Sequence, residues 1–285
     1  RSAENRHLRQ YGTVRNTKGD KQDMKIVVCV KQVPDTTEIK INPETGTLIR
    51  DGVPSILNPD DANALEQALE IKDSQPDTEV VVVTMGPPQA KEMLRECLAM
   101  GADDAVLLSD RALGGSDTWA TSNAVAAGVK KVGGYDLIFA GRQAIDGDTA
   151  QVGPQVAEKL GIPQVTYVKE FKLEEGHAIV KRALEDGYEE LKVKLPCVLT
   201  CIKELNTPRY MSVPGILKAA QQEIKVWSAA DIGVDTTTVG LKASPTNVFK
   251  SFTPKPKGAG VTVAGDTPKE KAEHLVRALK EKHII

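Results

Sequence analysis

Asp136 to Gly153 reads DLIFAGRQAIDGDTAQVG. The first five residues form a short apolar run of strand length. A small, polar loop follows, and helical apolar spacing begins at Val152 and continues to about Leu160. A strand that leaves through a loop into a helix is the repeating unit of a parallel α/β sheet. The same unit recurs upstream. Lys25 to Val33 (KIVVCVKQV) reads as one strand buried on both faces. Ile39 to Ile49 alternates around Glu44-Thr45-Gly46 and reads as a hairpin. Asn58-Pro59-Asp60-Asp61 opens a helix, with Asn58 as N-cap and Pro59 at its first position. Val80 to Met85 and Ala105 to Leu108 read as strands. Helices are expected over about 89–100 and from the Ser116-Asp117 cap to Val132. The spacing predicts an α/β fold with a doubly wound, mainly parallel sheet and right-handed crossovers.

Downstream the pattern loosens. Val165 to Val180, Glu189 to Leu195 and Cys197 to Ile202 read as further strands, some antiparallel, and Leu205 to Ile224 as a Pro-punctuated loop with a short helix. Residues 225–285 read as a C-terminal arm and helix. Val234 to Gly260 is rich in Thr, Ser, Pro, Gly and Lys and builds no core of its own. A final helix, Pro268 to Lys282, is capped by Asp266 or Thr267 and carries Ala272, Leu275, Val276 and Leu279 on one face. That face is expected on a partner subunit or back on the domain. The expected division is therefore a leader (1–23), an α/β domain (24–224) and an arm with its helix (225–285).

With 285 residues, 40% of them hydrophobic and 27% charged, the chain is long enough for a substantial core. The net charge of −2 argues against a nucleic-acid footprint. That sum has two unlike parts. Residues 1–23 hold six basic and three acidic side chains, a net of +3, which leaves −5 for the rest. This first stretch has no periodicity and no apolar core of a secretory signal. Met24 is expected to be the natural start. No apolar run approaches the ~20 residues of a membrane span. Four cysteines (29, 97, 197, 201) without a CxxC pair suggest buried thiols in a reduced, cytoplasmic setting.

In such a sheet, ligands bind beyond the carboxyl ends of the strands. Attention falls on the loops after Val30, around Asn58, at Met85-Gly86-Pro87 and at Gly141 to Val152. In the last, main-chain N–H groups at a helix start attract phosphate. Gly147 and Ala150 allow close approach. Thr149 and Gln151 can donate, and Arg142 can neutralise charge. A well-capped turn without a ligand remains the alternative. No GxGxxG follows the first strand, and no GxxxxGK[ST], GxSxG or HExxH occurs. Histidines 7, 177, 274 and 283 all lie outside these loops. Asp146 and Asp148 read as solvated or capping carboxylates rather than metal ligands.

Six motifs occur in the order found in the beta (small) subunit of electron-transferring flavoprotein, which the chain resembles. They are Val28-Cys29-Val30-Lys31-Gln32-Val33-Pro34-Asp35, Leu57-Asn58-Pro59-Asp60, Met85-Gly86-Pro87, Ala99-Met100-Gly101-Ala102-Asp103, Gly141-Arg142-Gln143-Ala144-Ile145-Asp146 and Leu205-Asn206-Thr207-Pro208-Arg209-Tyr210. The match is close from Met24 to Ile224, looser beyond, and excludes residues 1–23. The resemblance implies an adenine-nucleotide-binding, Rossmann-like fold and a heterodimer with an alpha subunit carrying a redox FAD. It implies that this fold binds AMP or a second FAD. The adenosine end would meet the Cys29 main chain, Asn58, Met85 and the turn Gly141, Arg142, Gln143, Ala144, with Asp60 and Gly86 as further cofactor-binding candidates. The phosphates would meet Asp146, Gly147, Asp148, Thr149, Ala150, Gln151 and Val152. Thr118 and Thr121 are further candidates for the same cofactor.

The run Asp146 to Pro154 (DGDTAQVGP) resembles the electron-bifurcating branch. In that branch NADH reduces this flavin, one electron drops to the alpha FAD and on to an acyl-CoA dehydrogenase, and the other reaches ferredoxin or flavodoxin. Arg142 is then a candidate tuner of the flavin or a phosphate ligand. Pro208 to Ile216 (PRYMSVPGI) resembles the loop that recognises acyl-CoA dehydrogenases, with Pro208, Arg209, Tyr210, Val213, Pro214 and Ile216 as partner residues. Val213 stands where a leucine is common. The alternatives are a non-bifurcating subunit with structural AMP, or a nucleotide-sensing module with no redox role.

Overall fold

A computed structural model describes residues 24–35, 54–249 and 258–285. The leader (1–23) and the hairpin expected at 39–49 lie outside the described residues. The described residues up to 247 form one unit, and 248–249 with 258–285 belong to a second.

In chain order the first unit contains β1 (Lys25–Cys29), β2 (Gln32–Pro34), β3 (Ser55–Leu57), α1 (Pro59–Ser74), β4 (Glu79–Met85), α2 (Ala90–Met100), β5 (Asp104–Leu108), α3 (Thr118–Val132), β6 (Leu137–Gly141), α4 (Val152–Leu160), β7 (Gln164–Glu174), β8 (His177–Ala183), β9 (Tyr188–Lys194), β10 (Cys197–Cys201), α5 (Val213–Gln221) and β11 (Lys225–Trp227). Among the described residues, nine strands form one sheet in the order β11-β5-β4-β1-β6-β10-β7-β8-β9. The seven from β11 to β7 are parallel, and β7-β8-β9 continue antiparallel. β2 and β3 make a small antiparallel pair.

Successive strand side chains point to opposite faces, so each strand feeds two cores. On one face Ile26, Val28, Phe139 and Leu199 pack with Leu65 and Leu69 of α1 and Leu94 of α2. On the other, Val27, Val81, Val83 and Ile138 pack with Val125 and Val129 of α3 and Val156 of α4. Burial on both faces is why these strands read as unbroken apolar runs. Phe139 meets Phe171 edge-on at 5.6 Å, which ties the parallel strands to the β7–β8 hairpin.

Two expectations are corrected. The strand expected over Lys25 to Val33 breaks after Cys29, because the Lys31 N–H donates to Asp61 and Gln32 starts a different sheet. The arm does not begin at 225 as a separate body. β11 pairs with β5, the Ala229 N–H donates to Asp110, and Ile232 and Val239 are buried. Gly240 N–H donates to the Ser116 hydroxyl, and Asn123 donates to the Thr238 carbonyl. A three-residue strand and isolated 3₁₀ turns carry no period, so the sequence pattern could not show this docking.

The second unit contains α6 (Pro268–Glu281). Thr267 and Glu270 form a reciprocal capping box, with Pro268 at the first turn. Among the described residues no helix is long and apolar enough to cross a membrane.

Candidate functional site

β4 and β5 lie to one side of β1, and β6 and β10 to the other. The chain therefore reverses its direction of winding between β1 and β6. Their carboxyl ends flank the crevice where α/β sheets bind ligands.

The first turn of α1 holds this crevice together. Asn58 is fully buried. Its Nδ2 donates to the Gln143 carbonyl at 2.9 Å, and its Oδ1 accepts the Ile145 N–H at 3.1 Å. It occupies the N-cap position of α1, but its side chain makes no capping bond. Asp60 accepts the Gln143 N–H. Asp61 accepts the Lys31 N–H and the Gly141 N–H, both at 2.8 Å. Burial raises the carboxyls of both Asp60 and Asp61, and Asp61 reaches about 7 despite these bonds. Gly141 is required by this fit, since a Cβ there would stand 2.3 Å from Asp61 Oδ1.

Beyond Gln143, Ile145 and the run Gly147 to Thr149 are exposed, and Ala144, Asp146 and Ala150 are partly buried. Asp148 and Ala150 adopt left-handed φ angles of +48° and +51°, a region that non-glycine residues enter at a cost. A Cβ at Gly147 would have nothing within 4 Å, so open space lies over the loop. Gln151 at the N-cap of α4 makes no side-chain capping bond. It accepts instead from the Thr118 hydroxyl at 2.8 Å, which joins the starts of α3 and α4. The first amides of α4 are thus left without a capping side chain, and two helix starts converge on one place. Gly153 lets α4 approach the sheet, because a Cβ there would meet Thr200 Cγ2 at 2.5 Å.

Charged groups line the same crevice. Lys31 Nζ meets Asp146 Oδ1 at 2.6 Å, and Gln143 Nε2 donates to Asp148 at 2.7 Å. Asp148 therefore has its partner within the loop, and Asp146 has its partner in Lys31 beyond β1. Arg142 Nε stands 3.3 Å from Asp60 Oδ2 in ionic contact without a hydrogen bond, and both atoms are buried. The Arg142 guanidinium lies 5.8 Å from the Tyr167 ring centre.

The residues expected at this site fall into groups. Gln143, Ala144, Asp146, Gly147, Asp148, Thr149, Ala150 and Gln151 form the loop that enters α4 at Val152, with Gln143 bonded to Asp148 and Thr118 to Gln151. Asn58, Asp60 and Gly141 hold the turn from beneath, and Asn58 presents no surface to a ligand. Cys29, Met85 and Gly86 lie at the ends of the neighbouring strands β1 and β4. Thr121 lies one turn into α3, with its hydroxyl 3.5 Å from the Ser116 carbonyl. Burial raises the Cys29 thiol to about 12, and the other three thiols are raised by the same cause. Sequence reasoning did not assign Lys31, Asp61 or Gly153 to the site. Lys31 and Asp61 stand within or beside the family motifs, but nothing local distinguishes Asp61 from Asp60.

The expected partner loop lies elsewhere, along α1. Asn63 and Asn206 exchange side-chain bonds with each other's carbonyls. Arg209 is not a free contact residue. It grips Glu66 at 2.9 Å and Asp73 at 2.8 Å and so clamps the loop to α1. Beyond the clamp Tyr210 is 98% and Val213 71% exposed, and Ile216 and Leu217 are exposed beside them on α5. Pro214 is exposed in the first turn of α5, and Pro208 is half-buried before the clamp.

A crevice at the switch point of a mainly parallel sheet, with an open loop leading into α4, defines an α/β domain of the doubly wound class. The family model for the electron transfer flavoprotein domain matches residues 45–232. Similar proteins include the caffeyl-CoA reductase-Etf complex subunit CarD of Acetobacterium woodii, 66% identical over 262 residues, covering 92% of this chain and 100% of that one. The electron transfer flavoprotein subunit beta of Clostridium acetobutylicum is 60% identical over 263 residues, with the same coverage. The acryloyl-CoA reductase electron transfer subunit gamma of Anaerotignum propionicum is 52% identical over 270 residues, again covering 92% and 100%. The chain belongs to the electron transfer flavoprotein family, on the side of its beta subunits.

Proposed function

We propose that the chain is the beta subunit of a heterodimeric, electron-bifurcating electron transfer flavoprotein whose switch-point crevice binds a second FAD. The observation that carries this reading is the uncapped start of α4 behind a loop held left-handed at Asp148 and Ala150, with open space over Gly147. Such a loop accommodates a pyrophosphate and leaves room for its continuation. The residues fit the group by chemistry. The α4 amides, the Thr149 hydroxyl and the Gln151 amide supply donors, Thr118 fixes the Gln151 side chain, and Lys31 and Arg142 supply positive charge. The aspartates nearby are already partnered.

A flavin held here by the α4 amides, Lys31 and Arg142 would supply hydride acceptance from NADH and one-electron transfer. The chain's own residues bind and orient it. Arg142, set beside Asp60 and Tyr167, is the candidate for tuning its charge. The acceptors on this reading would be the FAD of the alpha subunit, followed by an acyl-CoA dehydrogenase, and ferredoxin or flavodoxin. The relatives from caffeyl-CoA and acryloyl-CoA reductase systems support the acyl-CoA side. The apolar patch Tyr210, Val213 and Ile216 is the docking surface for that enzyme. The arm and α6 engage the alpha subunit.

Counting flavins on the co-purified heterodimer tests this. Two FAD and NADH-dependent flavin reduction are expected. One FAD plus AMP would overturn bifurcation in favour of the structural-AMP subunit. Nucleotide without flavin would leave a sensing module.

A further inference from the structure

Asp61 is buried in the first turn of α1, and its two oxygens serve two strands. Oδ2 accepts the N–H of Lys31, two residues past β1. Oδ1 accepts the N–H of Gly141, the last residue of β6. The β1–β6 ladder runs from Ile26↔Leu137 to Cys29↔Ala140, so Asp61 carries the link beyond the ladder's end. The two strands are those between which the winding reverses. A single carboxylate therefore spans the floor of the crevice. Lys31 then reaches forward to Asp146, and Gly141 opens the turn that Asn58 holds at Gln143 and Ile145.

We propose that Asp61 is a positioning residue of this crevice: its ionised carboxylate sets the placement of Lys31 and of the 141–148 turn, and nucleotide binding requires it unprotonated. The proposal rests on the nucleotide-binding reading above. An ionised carboxylate accepts at both oxygens. A proton on either oxygen sets a donor against a main-chain N–H, and one of the two strand links is lost. The titratable groups that face Asp61 are Cys29 on β1, Cys97 on α2, Cys201 on β10 and Asp60 on its own helix. The three thiols are raised by burial and stay neutral through neutral pH. Asp60 has Arg142 against it. Asp61, raised to about 7, changes charge close to neutrality.

The test uses the heterodimer co-purified with its alpha subunit, unmodified and as Asp61→Asn, with FAD and AMP as probes. Asparagine keeps the shape and one acceptor but sets an NH₂ against one main-chain N–H. At pH 8 the variant is expected to lose nucleotide from this crevice at least tenfold faster, with the alpha FAD retained. Amide exchange in segments 24–35 and 137–150 is expected to quicken. In the unmodified protein, nucleotide retention is expected to fall about tenfold from pH 8 to pH 6, and in the variant this dependence flattens. Equal binding with the same pH profile and amide exchange in both proteins overturns the role of Asp61 and leaves the nucleotide reading intact. An unmodified heterodimer holding neither FAD nor AMP here overturns that reading, and this proposal with it. Should Asp61→Asn fail to fold, the unmodified protein decides alone: nucleotide retention that stays constant from pH 8 to pH 6, with amide protection in segments 24–35 and 137–150 unchanged once the intrinsic pH dependence of exchange is divided out, overturns the proposal.

Discussion

Asn58 Nδ2 donates to the carbonyl of Gln143 at 2.9 Å, although 85 residues separate the two. The same side chain accepts from Ile145 and bonds the Asp61 carboxylate. One buried amide thus holds helix α1 to the turn that forms the crevice. Asn58→Ala would leave the Gln143 carbonyl and Ile145 N–H without these partners. A loss of about 2–4 kcal/mol in stability is expected by chemical denaturation, with weakened nucleotide binding.

Stability should fall as pH rises, through Asp61. Its folded carboxyl titrates near 7 and its unfolded one near 3.8, so the folded state binds the proton more tightly. The resulting stabilisation is fully present below about pH 4 and is lost as pH rises through about 7. Each pH unit between those two values is worth ~1.4 kcal/mol, which allows up to about 4 kcal/mol in all. Comparing unfolding free energies at pH 5 and pH 8 checks this, and in Asp61→Asn that component of the pH dependence should vanish. Burial of this charge costs stability in the same range where the crevice needs it ionised.

Ala150→Gly should separate strain from function. Ala150 holds φ +51°, which costs roughly 1–2 kcal/mol in an L-residue, while glycine gives back about 0.5–1 kcal/mol in backbone entropy. A gain of up to about 1 kcal/mol in unfolding free energy is expected. Nucleotide release should quicken, because the loop loses its preset shape. Asp148→Ala with Thr149→Ala should weaken the cofactor here and spare the alpha FAD. Flavin release rates for both variants give the comparison.

Neighbouring residues of the partner loop should behave oppositely. Arg209→Ala leaves the nearly buried Glu66 carboxylate without its cation, and a loss of about 2 kcal/mol is expected. Tyr210→Ala with Val213→Asp alters only exposed side chains, so stability should stay within about 0.5 kcal/mol. Electron delivery to an acyl-CoA dehydrogenase should drop at least tenfold. Thermal melts paired with coupled dehydrogenase assays distinguish the two classes.

The alternation of strand and helix, and the loop from Gly141 to Val152, were legible in sequence because their causes are local. Runs such as Val80 to Val83 are apolar because both faces of the strand are covered, and Asp117 announces α3 by accepting the Ala120 N–H. The resemblance in the motifs then supplied the family. The long-range tasks of single polar residues were not legible. Whether Asp60 or Asp61 faces the sheet depends on the phase of α1 against β1 and β6. Whether Arg209 meets a partner or its own helix depends on Glu66 and Asp73, more than 130 residues away. β11 is three residues long, too short to carry a period, and exists because β5 offers it an edge. Composition and periodicity determined that a parallel sheet would form and where its loops would fall. The crevice itself, with Asp61 across its floor and α4 uncapped above it, follows from tertiary packing, which alone brings distant backbone donors onto one carboxylate.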